Sequence, residues 1–196
     1  MRHFLLVLNK ARTDHNISIT DLTGSGRIDI ACRFVNSVLF NSYSLRRDVV
    51  VHLLFRGPPL EGSLRLEMDS RNIRGIHPGE RSIAGYIKKN LKSYDQRKVP
   101  ANIGVKVVEQ SLDDFVKKFE GRRFVLHEEG DGIGSFSFKD SEDVLFVVGD
   151  HKGVPQKLLG ELVEGSDLTP ISLGKNSYQA QQVSSFINIF LDREKD

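Results

Sequence analysis

The stretch VVVHLLF, residues Val49–Phe55, decides the fold of this chain. Six of its seven residues are apolar, and they lack the alternation that is typical of a strand with one face in water. The run therefore predicts a strand buried on both faces, as in parallel sheets covered by helices. Outward from this strand, strand and helix patterns alternate in both directions, which indicates an α/β fold. We expect a mostly parallel sheet flanked by helices.

The other predicted elements follow from the spacing of the apolar residues. Strand patterns occur at residues 3–9, 64–68, 103–107, 123–127, 144–148 and 168–173, and helix patterns at residues 26–43, 83–91, 112–119, 155–163 and 177–191. Ser25 is the expected N-cap of the first helix, and Ser111 with Asp114 is a capping pair for the third. Because the sequence contains no repeat, low-complexity tract or clear linker, we expect a single domain, 1–196.

Composition excludes several classes of protein. The chain has 39% apolar and 28% charged residues and no uninterrupted apolar run of membrane-spanning length, so no membrane span is expected. The N-terminus lacks the features of a signal peptide, and a cytoplasmic location is the default expectation. The one cysteine, Cys32, excludes an intramolecular disulfide and a cysteine-rich zinc site, and we expect it to pack in the core.

Charge is distributed unevenly along the chain. Residues 1–100 carry a formal net charge of +8 and residues 101–196 carry −6, and 12 of the 17 cations in the first part are arginines. Arginine pairs with phosphate through two hydrogen bonds and stacks on bases. The pattern indicates a polyanionic partner such as nucleic acid. A solvated basic surface without any partner is the alternative.

Three predicted strands in the last third end in loops that contain glycine. The loops cover residues 127–132, 149–153 and 172–174. Ligands of open parallel sheets bind outside the carboxyl ends of the strands, and glycine lets the backbone come close to a ligand. The three loops therefore predict one binding site, whereas each loop taken singly could be an ordinary turn.

The ligand predicted for these loops is an adenosine group. No P-loop is present, and the glycines at 130–134 are not followed by a helix pattern, which disfavours a nucleoside triphosphate or a dinucleotide. Leu126, Val148 and Leu173 would provide apolar walls that suit an adenine ring and an uncharged ribose. These features point to S-adenosylmethionine. No metal site is expected, because the side chains available for one lack a known ligand spacing: His127, Asp131, Asp150 and His151.

Several motifs resemble a known family. Leu126, FVVGDHKG (146–153) and ISLGKNS (171–177) resemble the three cofactor loops of SPOUT methyltransferases. ITDLTGSGRIDIACRFVNSVLF (19–40) and the start MRHFLLVLNKA (1–11) resemble the archaeal tRNA pseudouridine-54 N1-methyltransferases, the TrmY family. The resemblance covers essentially the whole chain.

The resemblance implies a C-terminal trefoil knot, a homodimer, and methyl transfer from S-adenosyl-L-methionine to N1 of pseudouridine 54 in the T-loop of tRNA. The residues that it implies for cofactor binding are Leu126, Gly149, Ser172, Leu173, Gly174, Lys175, Asn176, Ser177 and Val183. The arginines that match RNA-holding positions are Arg27 and Arg33, and further candidates for contacts with the RNA backbone are Arg46, Arg47, Arg71, Arg74 and Arg81.

The expected chemistry requires a base, because N1 of pseudouridine carries a hydrogen. Asp21 and Asp29 flank Arg27, and either could accept this proton, while Arg27 could stabilise the developing anion. Asp29 could instead only favour the positive end of the following helix. Two alternatives remain: a ribosomal-RNA pseudouridine N1-methyltransferase of the same superfamily, and a non-catalytic RNA-binding module.

Overall fold

In the computed structural model, which describes residues 1–42, 44–139, 141–165 and 167–194, the strands and helices alternate as the sequence predicts. The strands are β1 (Arg2–Leu8), β2 (Val49–Phe55), β3 (Leu64–Asp69), β4 (Val105–Glu109), β5 (Arg122–Gly132), β6 (Val144–Gly149) and β7 (Leu168–Ser172). The helices are α1 (Ile28–Leu39), α2 (Glu80–Asp95), α3 (Leu112–Lys118), α4 (Gln156–Gly165) and α5 (Ala180–Arg193).

The seven strands form one sheet in the order β4-β3-β2-β1-β6-β5-β7. The five strands from β2 to β7 in this order are parallel, whereas β3 and β4 pair antiparallel at one edge. The predicted mostly parallel sheet is therefore confirmed. All seven residues of β2 are buried, as its unbroken apolar run predicts. The carboxyl ends of the parallel strands meet at one edge of the sheet.

Helices cover both faces of the sheet and enclose two cores. The larger core lies under α1, α2 and α5, and the smaller core lies under α3 and α4. Alternate residues of β1 point to opposite faces, so that Phe4 enters the larger core and Leu5 the smaller one. Cys32 is fully buried in the larger core, as expected, and burial first among other causes raises the pKa of its thiol to about 12.

The start of α1 differs from its prediction. Ser25 is not the N-cap, because its hydroxyl donates to the carbonyl of Asp21 at 2.9 Å. Arg27 occupies the N-cap position in the left-handed conformation, with φ of 69°. Because of this turn, the helix begins at Ile28. It ends at Leu39, before the expected end at Tyr43. Tyr43 itself lies outside the described residues.

Strand β5 is longer than its prediction and contains a bulge. Leu126 and Asp131 both pair with Ile171 of β7, so residues 127–130 loop out between them. Gly130 permits this close approach, because a Cβ on it would lie 2.6 Å from the backbone nitrogen of Ile171. By contrast, the predicted capping pair of α3 is confirmed, since the hydroxyl of Ser111 accepts from the Asp114 N–H at 3.1 Å.

No helix in the described part of the chain is long and apolar enough to cross a membrane.

Candidate active site

A cavity of about 710 Å³ lies at the carboxyl ends of β5, β6 and β7, beside the start of α1. All three predicted glycine loops contribute to its wall. Most of the residues expected to bind cofactor or RNA line it: Arg27, Arg33, Leu126, Gly149, Ser172, Leu173, Gly174, Asn176, Ser177 and Val183. The fold therefore brings the start of α1 together with three loops from the last third of the chain.

Ser172 connects two of these loops. Its hydroxyl accepts from the Gly174 N–H at 3.0 Å, and it lies 3.2 Å from the carbonyl of Glu128, to which it can donate. Gly174 has φ of 125°, a conformation that other residues rarely adopt, and no atom lies within 4 Å of where its Cβ would stand. The loop after β7 is thus fixed by its serine and kept open by its glycine.

The loop after β6 is closed tightly upon itself. A Cβ on Gly149 would lie 2.3 Å from the carbonyl carbon of Gly153, so that only glycine fits. Asp150 is buried and anchors the loop to the end of β1. Its carboxylate accepts from the Asn9 N–H at 2.8 Å, from the Asn9 side chain at 3.0 Å and from the Lys152 N–H at 2.9 Å.

Two arginines, Arg27 and Arg33, form a charged wall on the α1 side of the cavity and share one aspartate, Asp29. Arg27 donates to both oxygens of Asp29, at 2.9 and 3.0 Å, and Arg33 donates to the same carboxylate from the next turn of the helix. Burial acts to raise the pKa of Asp29, but the hydrogen bond from Arg27 and the two positive charges outweigh it and lower that pKa. Asp29 therefore stays ionised and holds both guanidinium groups at the cavity.

Comparison with known proteins identifies the family of this chain. The family described as "Putative SAM-dependent RNA methyltransferase" matches residues 1–195. The chain is also 38% identical to the tRNA (pseudouridine(54)-N(1))-methyltransferase of Methanococcoides burtonii, over 98% of this chain and 96% of that protein. The enzyme of the same name from Thermococcus gammatolerans is 36% identical, over 98% and 97%. The chain belongs to this RNA methyltransferase family.

A solved structure shares the fold of this family member. The crystal structure of Archaeoglobus fulgidus Nep1 bound to S-adenosylhomocysteine matches 99% of this chain and 98% of that one, with a TM-score of 0.69 and 16% sequence identity. At this identity the likeness shows the common fold alone.

Eight predicted site residues of this methyltransferase lie outside the cavity lining, among them Asp29, which pairs with the two lining arginines, and the exposed Arg71, Arg74 and Arg81. Asp21 is exposed, and its carboxylate accepts from the Gly24 N–H at 2.8 Å. Arg46 is mostly buried and forms an ion pair with Asp192 of α5. The remaining two are Arg47, which donates to the carbonyl of Ser70 at 2.7 Å, and Lys175.

Sequence reasoning missed other residues of the wall. Asp150, His151, Lys152 and Gly153 line the cavity, as the predicted loop 149–153 implies, although the individual cofactor residues expected from the motif FVVGDHKG include only Gly149. His127 and Glu128 come from the predicted loop 127–132, where the bulge in β5 turns them to the cavity. The motifs gave no signal for Ile30 and Leu159, which reach the cavity through the packing of α1 and α4. In the described ranges, no group of three or more His, Cys, Asp or Glu side chains is placed to hold a metal ion.

Proposed function

We propose that this chain transfers a methyl group from S-adenosylmethionine to N1 of pseudouridine 54 in the T-loop of tRNA. The support is the family membership and the activity after which relatives that are 34–38% identical over nearly the whole chain are named. The observation that carries the proposal is the cavity in which three glycine loops face a paired-arginine wall. A cytoplasmic location follows from a tRNA substrate and is part of the proposal.

The cavity fits the proposed cofactor in size and chemistry. Its volume lies within the range of small-molecule sites, roughly 300–1,000 Å³. Leu126, Val148 and Leu173 would supply apolar contacts for the adenine ring, while the backbone of the loops supplies hydrogen-bonding groups. The residues we propose for the cofactor are those inferred from the sequence: Leu126, Gly149, Ser172, Leu173, Gly174, Lys175, Asn176, Ser177 and Val183. When bound, S-adenosylmethionine supplies an electrophilic methyl group.

Arg27 and Arg33 would hold the RNA base in the cavity. Their positive charges suit the carbonyl oxygens of pseudouridine, on which negative charge develops as N1 loses its proton. Asp29 is occupied by both guanidinium groups, so we assign it to positioning. Of the two candidate bases, Asp21 is the one whose carboxylate is exposed, but it lies outside the cavity lining. We therefore propose that it accepts the N1 proton through a water molecule after the T-loop base turns out of its stack.

The homodimer belongs to the proposal as well. Helix α5 presents two large apolar side chains to solvent, Phe186 at 47% and Ile189 at 59% exposure. Burial of these side chains against a second copy would remove apolar surface from water. Sedimentation velocity tests this, with Ile189→Glu expected to convert dimer to monomer.

We also propose the trefoil knot implied by the resemblance. Strand β5 precedes β6 and β7 in the chain but lies between them in the sheet, so the connection from β6 to β7 must cross it. Mechanical unfolding from the two chain ends tests the knot, because a knotted chain reaches a shorter extended length than an unknotted one.

Mass spectrometry of tRNA tests the proposed reaction. The purified protein is incubated with methyl-labelled S-adenosylmethionine and tRNA that carries pseudouridine or uridine at position 54. We expect one labelled methyl group on pseudouridine 54 and none on uridine. Methylation of uridine at the same rate would reject transfer to N1. A ribosomal-RNA fragment that contains pseudouridine is tested in parallel, and methylation of that fragment alone would favour the ribosomal substrate. Cofactor binding without methylation of either RNA would favour an RNA-binding module.

A further inference from the structure

A second cavity, of about 600 Å³, lies at the carboxyl ends of β1 and β2. It is on the same edge of the sheet as the first cavity, and the strands β1 and β6 that end beside the two cavities are neighbours. Three cationic side chains contribute to its wall, Lys10, Arg12 and Arg56. The sequence motifs predict none of them as a site residue.

Two glycines fix the position of Lys10. A Cβ on Gly26 would lie 2.0 Å from the carbonyl oxygen of Lys10, and a Cβ on Gly57 would lie 2.4 Å from the same oxygen. The loop before α1 and the loop after β2 therefore grip the Lys10 backbone from two sides. The backbone of Lys10 is therefore held rigidly, whereas its cationic side chain is exposed and can reach a ligand.

Asn9 forms the partition between the two cavities. Its side-chain nitrogen donates to Asp150 and to the carbonyl of Gly153, both at 3.0 Å and both in the loop after β6. Its side-chain oxygen accepts from Arg56 at 3.0 Å. Since these partners fix both ends of the amide, the position of Arg56 is tied to the wall of the first cavity.

The charge balance of the second cavity is positive. Arg12 is neutralised by Asp14, with two hydrogen bonds of 2.8 and 2.7 Å. Lys10 and Arg56 carry the remaining positive charge, and the carboxylate of Asp150 is turned to Asn9 and the Lys152 N–H. A fixed cationic cavity that has glycine backbone in its walls suits a phosphate group.

We propose that the second cavity binds a backbone phosphate of the substrate RNA beside the nucleotide to be methylated. This inference rests on the proposed function, since the target base would occupy the first cavity and its flanking phosphate would then lie across the Asn9 partition. The phosphate contact would position the strand without reading its sequence. Phosphate binding in the second cavity would also influence how far the target base enters the first cavity.

The test combines Lys10→Gln with a T-arm RNA in which a methylphosphonate replaces one phosphate flanking pseudouridine 54, each side in turn. Either change alone should weaken RNA binding by about 5- to 10-fold, as for the loss of one charge-assisted contact. The two changes together should weaken it no further than the methylphosphonate alone, because Lys10 contacts the same phosphate. Lys10→Arg should bind unmodified RNA normally. Additive effects at both flanking positions, or unchanged affinity in Lys10→Gln, would overturn the inference.

Two measurements separate this inference from the proposed function. Lys10→Gln should lower the slope of the logarithm of the RNA-binding constant against the logarithm of salt concentration by about 1. The control is Lys118→Gln, the same change on α3 over the smaller core, which should leave this slope unchanged. Affinity for S-adenosylmethionine, by calorimetry, should be unaltered in both variants. If wild-type protein binds this RNA with the phosphate dependence described but does not methylate it, the proposed function fails and the phosphate site stands.

Discussion

Arg27 and Asp29 form a two-point ion pair at the wall of the larger cavity, with Nε–Oδ1 and Nη2–Oδ2 distances of 2.9 and 3.0 Å. Arg27 adopts a left-handed backbone conformation that is uncommon for a residue with a side chain. Such conformations persist where the surroundings hold them and are frequent at functional sites. The ion pair supplies that restraint, and it also occupies the oxygens that a general base would need.

Asp29→Asn should therefore impair RNA binding more than cofactor binding. The amide keeps one acceptor but loses the charge that holds both arginines, and misplaced positioning groups cost about 100-fold in rate. We expect kcat/KM for tRNA to fall by about 10- to 100-fold, with the dissociation constant for S-adenosylmethionine within twofold of wild type. Steady-state kinetics and calorimetry measure the two quantities.

Asp21→Asn is the matched test of the base. If Asp21 accepts the N1 proton, this variant loses kcat by about 100-fold while tRNA affinity is kept. Steady-state kinetics and filter binding measure the two quantities. Should Asp29→Asn, rather than Asp21→Asn, lower kcat while tRNA affinity is kept, the roles of the two carboxylates would be reversed.

Gly149→Ala should weaken cofactor binding, because the added Cβ would meet the backbone of Gly153 at 2.3 Å and displace the loop after β6. Isothermal calorimetry should show at least about a 10-fold loss of affinity for S-adenosylmethionine, equivalent to about 1.4 kcal/mol. Gly160→Ala is the control, since this exposed glycine of α4 has no atom within 4 Å of its Cβ position. It should keep the affinity and raise stability slightly through helix propensity. Equal losses of cofactor affinity in both variants would show that the effect does not arise from the loop after β6.

The sequence revealed the parts of this site that depend on local patterns. The unbroken apolar run of β2 and the glycine of each strand-end loop identified the sheet and the edge where ligands bind. Contacts between distant segments depend on strand order, which no local pattern contains. Asn9 meets Asp150 only because β1 lies beside β6. Arg46, in the segment that follows α1, meets Asp192 only because α1 packs against α5. An arginine that appears available for RNA in the sequence can therefore be an internal ion pair in the fold.

Arg46→Ala should consequently reduce stability and leave tRNA binding intact. Arg46 donates to both oxygens of Asp192, which also accepts from Arg2 at 2.7 Å, so this cluster holds the end of α5 to the sheet. We expect the free energy of unfolding to drop by about 1–2 kcal/mol, a modest value because Asp192 is partly exposed to solvent. Arg33→Ala should show the opposite pattern, with weaker tRNA binding and little change in stability. Denaturant unfolding and filter binding measure the pair, and weaker tRNA binding by Arg46→Ala at unchanged stability would contradict the assignment.

A stacked histidine pair under α3 should make the fold sensitive to acid. Nδ1 of His3 lies 3.1 Å from Nε2 of His52, and Nδ1 of His52 lies 2.9 Å from Arg65. Because a guanidinium only donates, His52 accepts at Nδ1 and therefore carries its proton at Nε2, which it donates to His3. Burial first, then the charge of Arg65, lowers the pKa of His52 well below its usual value, and burial also lowers the pKa of His3.

Both histidines are therefore neutral in the fold and take up protons more readily when the chain unfolds. The stabilisation is complete above the unfolded pKa of about 6.5 and is lost as pH falls below it, at up to about 1.4 kcal/mol per pH unit for each proton. His52→Gln keeps an acceptor for Arg65 and a donor for His3 but cannot titrate. Between pH 6 and pH 5 the wild type should lose about 1 kcal/mol more unfolding free energy than this variant. Urea denaturation at the two pH values measures the difference, and parallel pH dependence in the two proteins would assign the acid sensitivity to other groups.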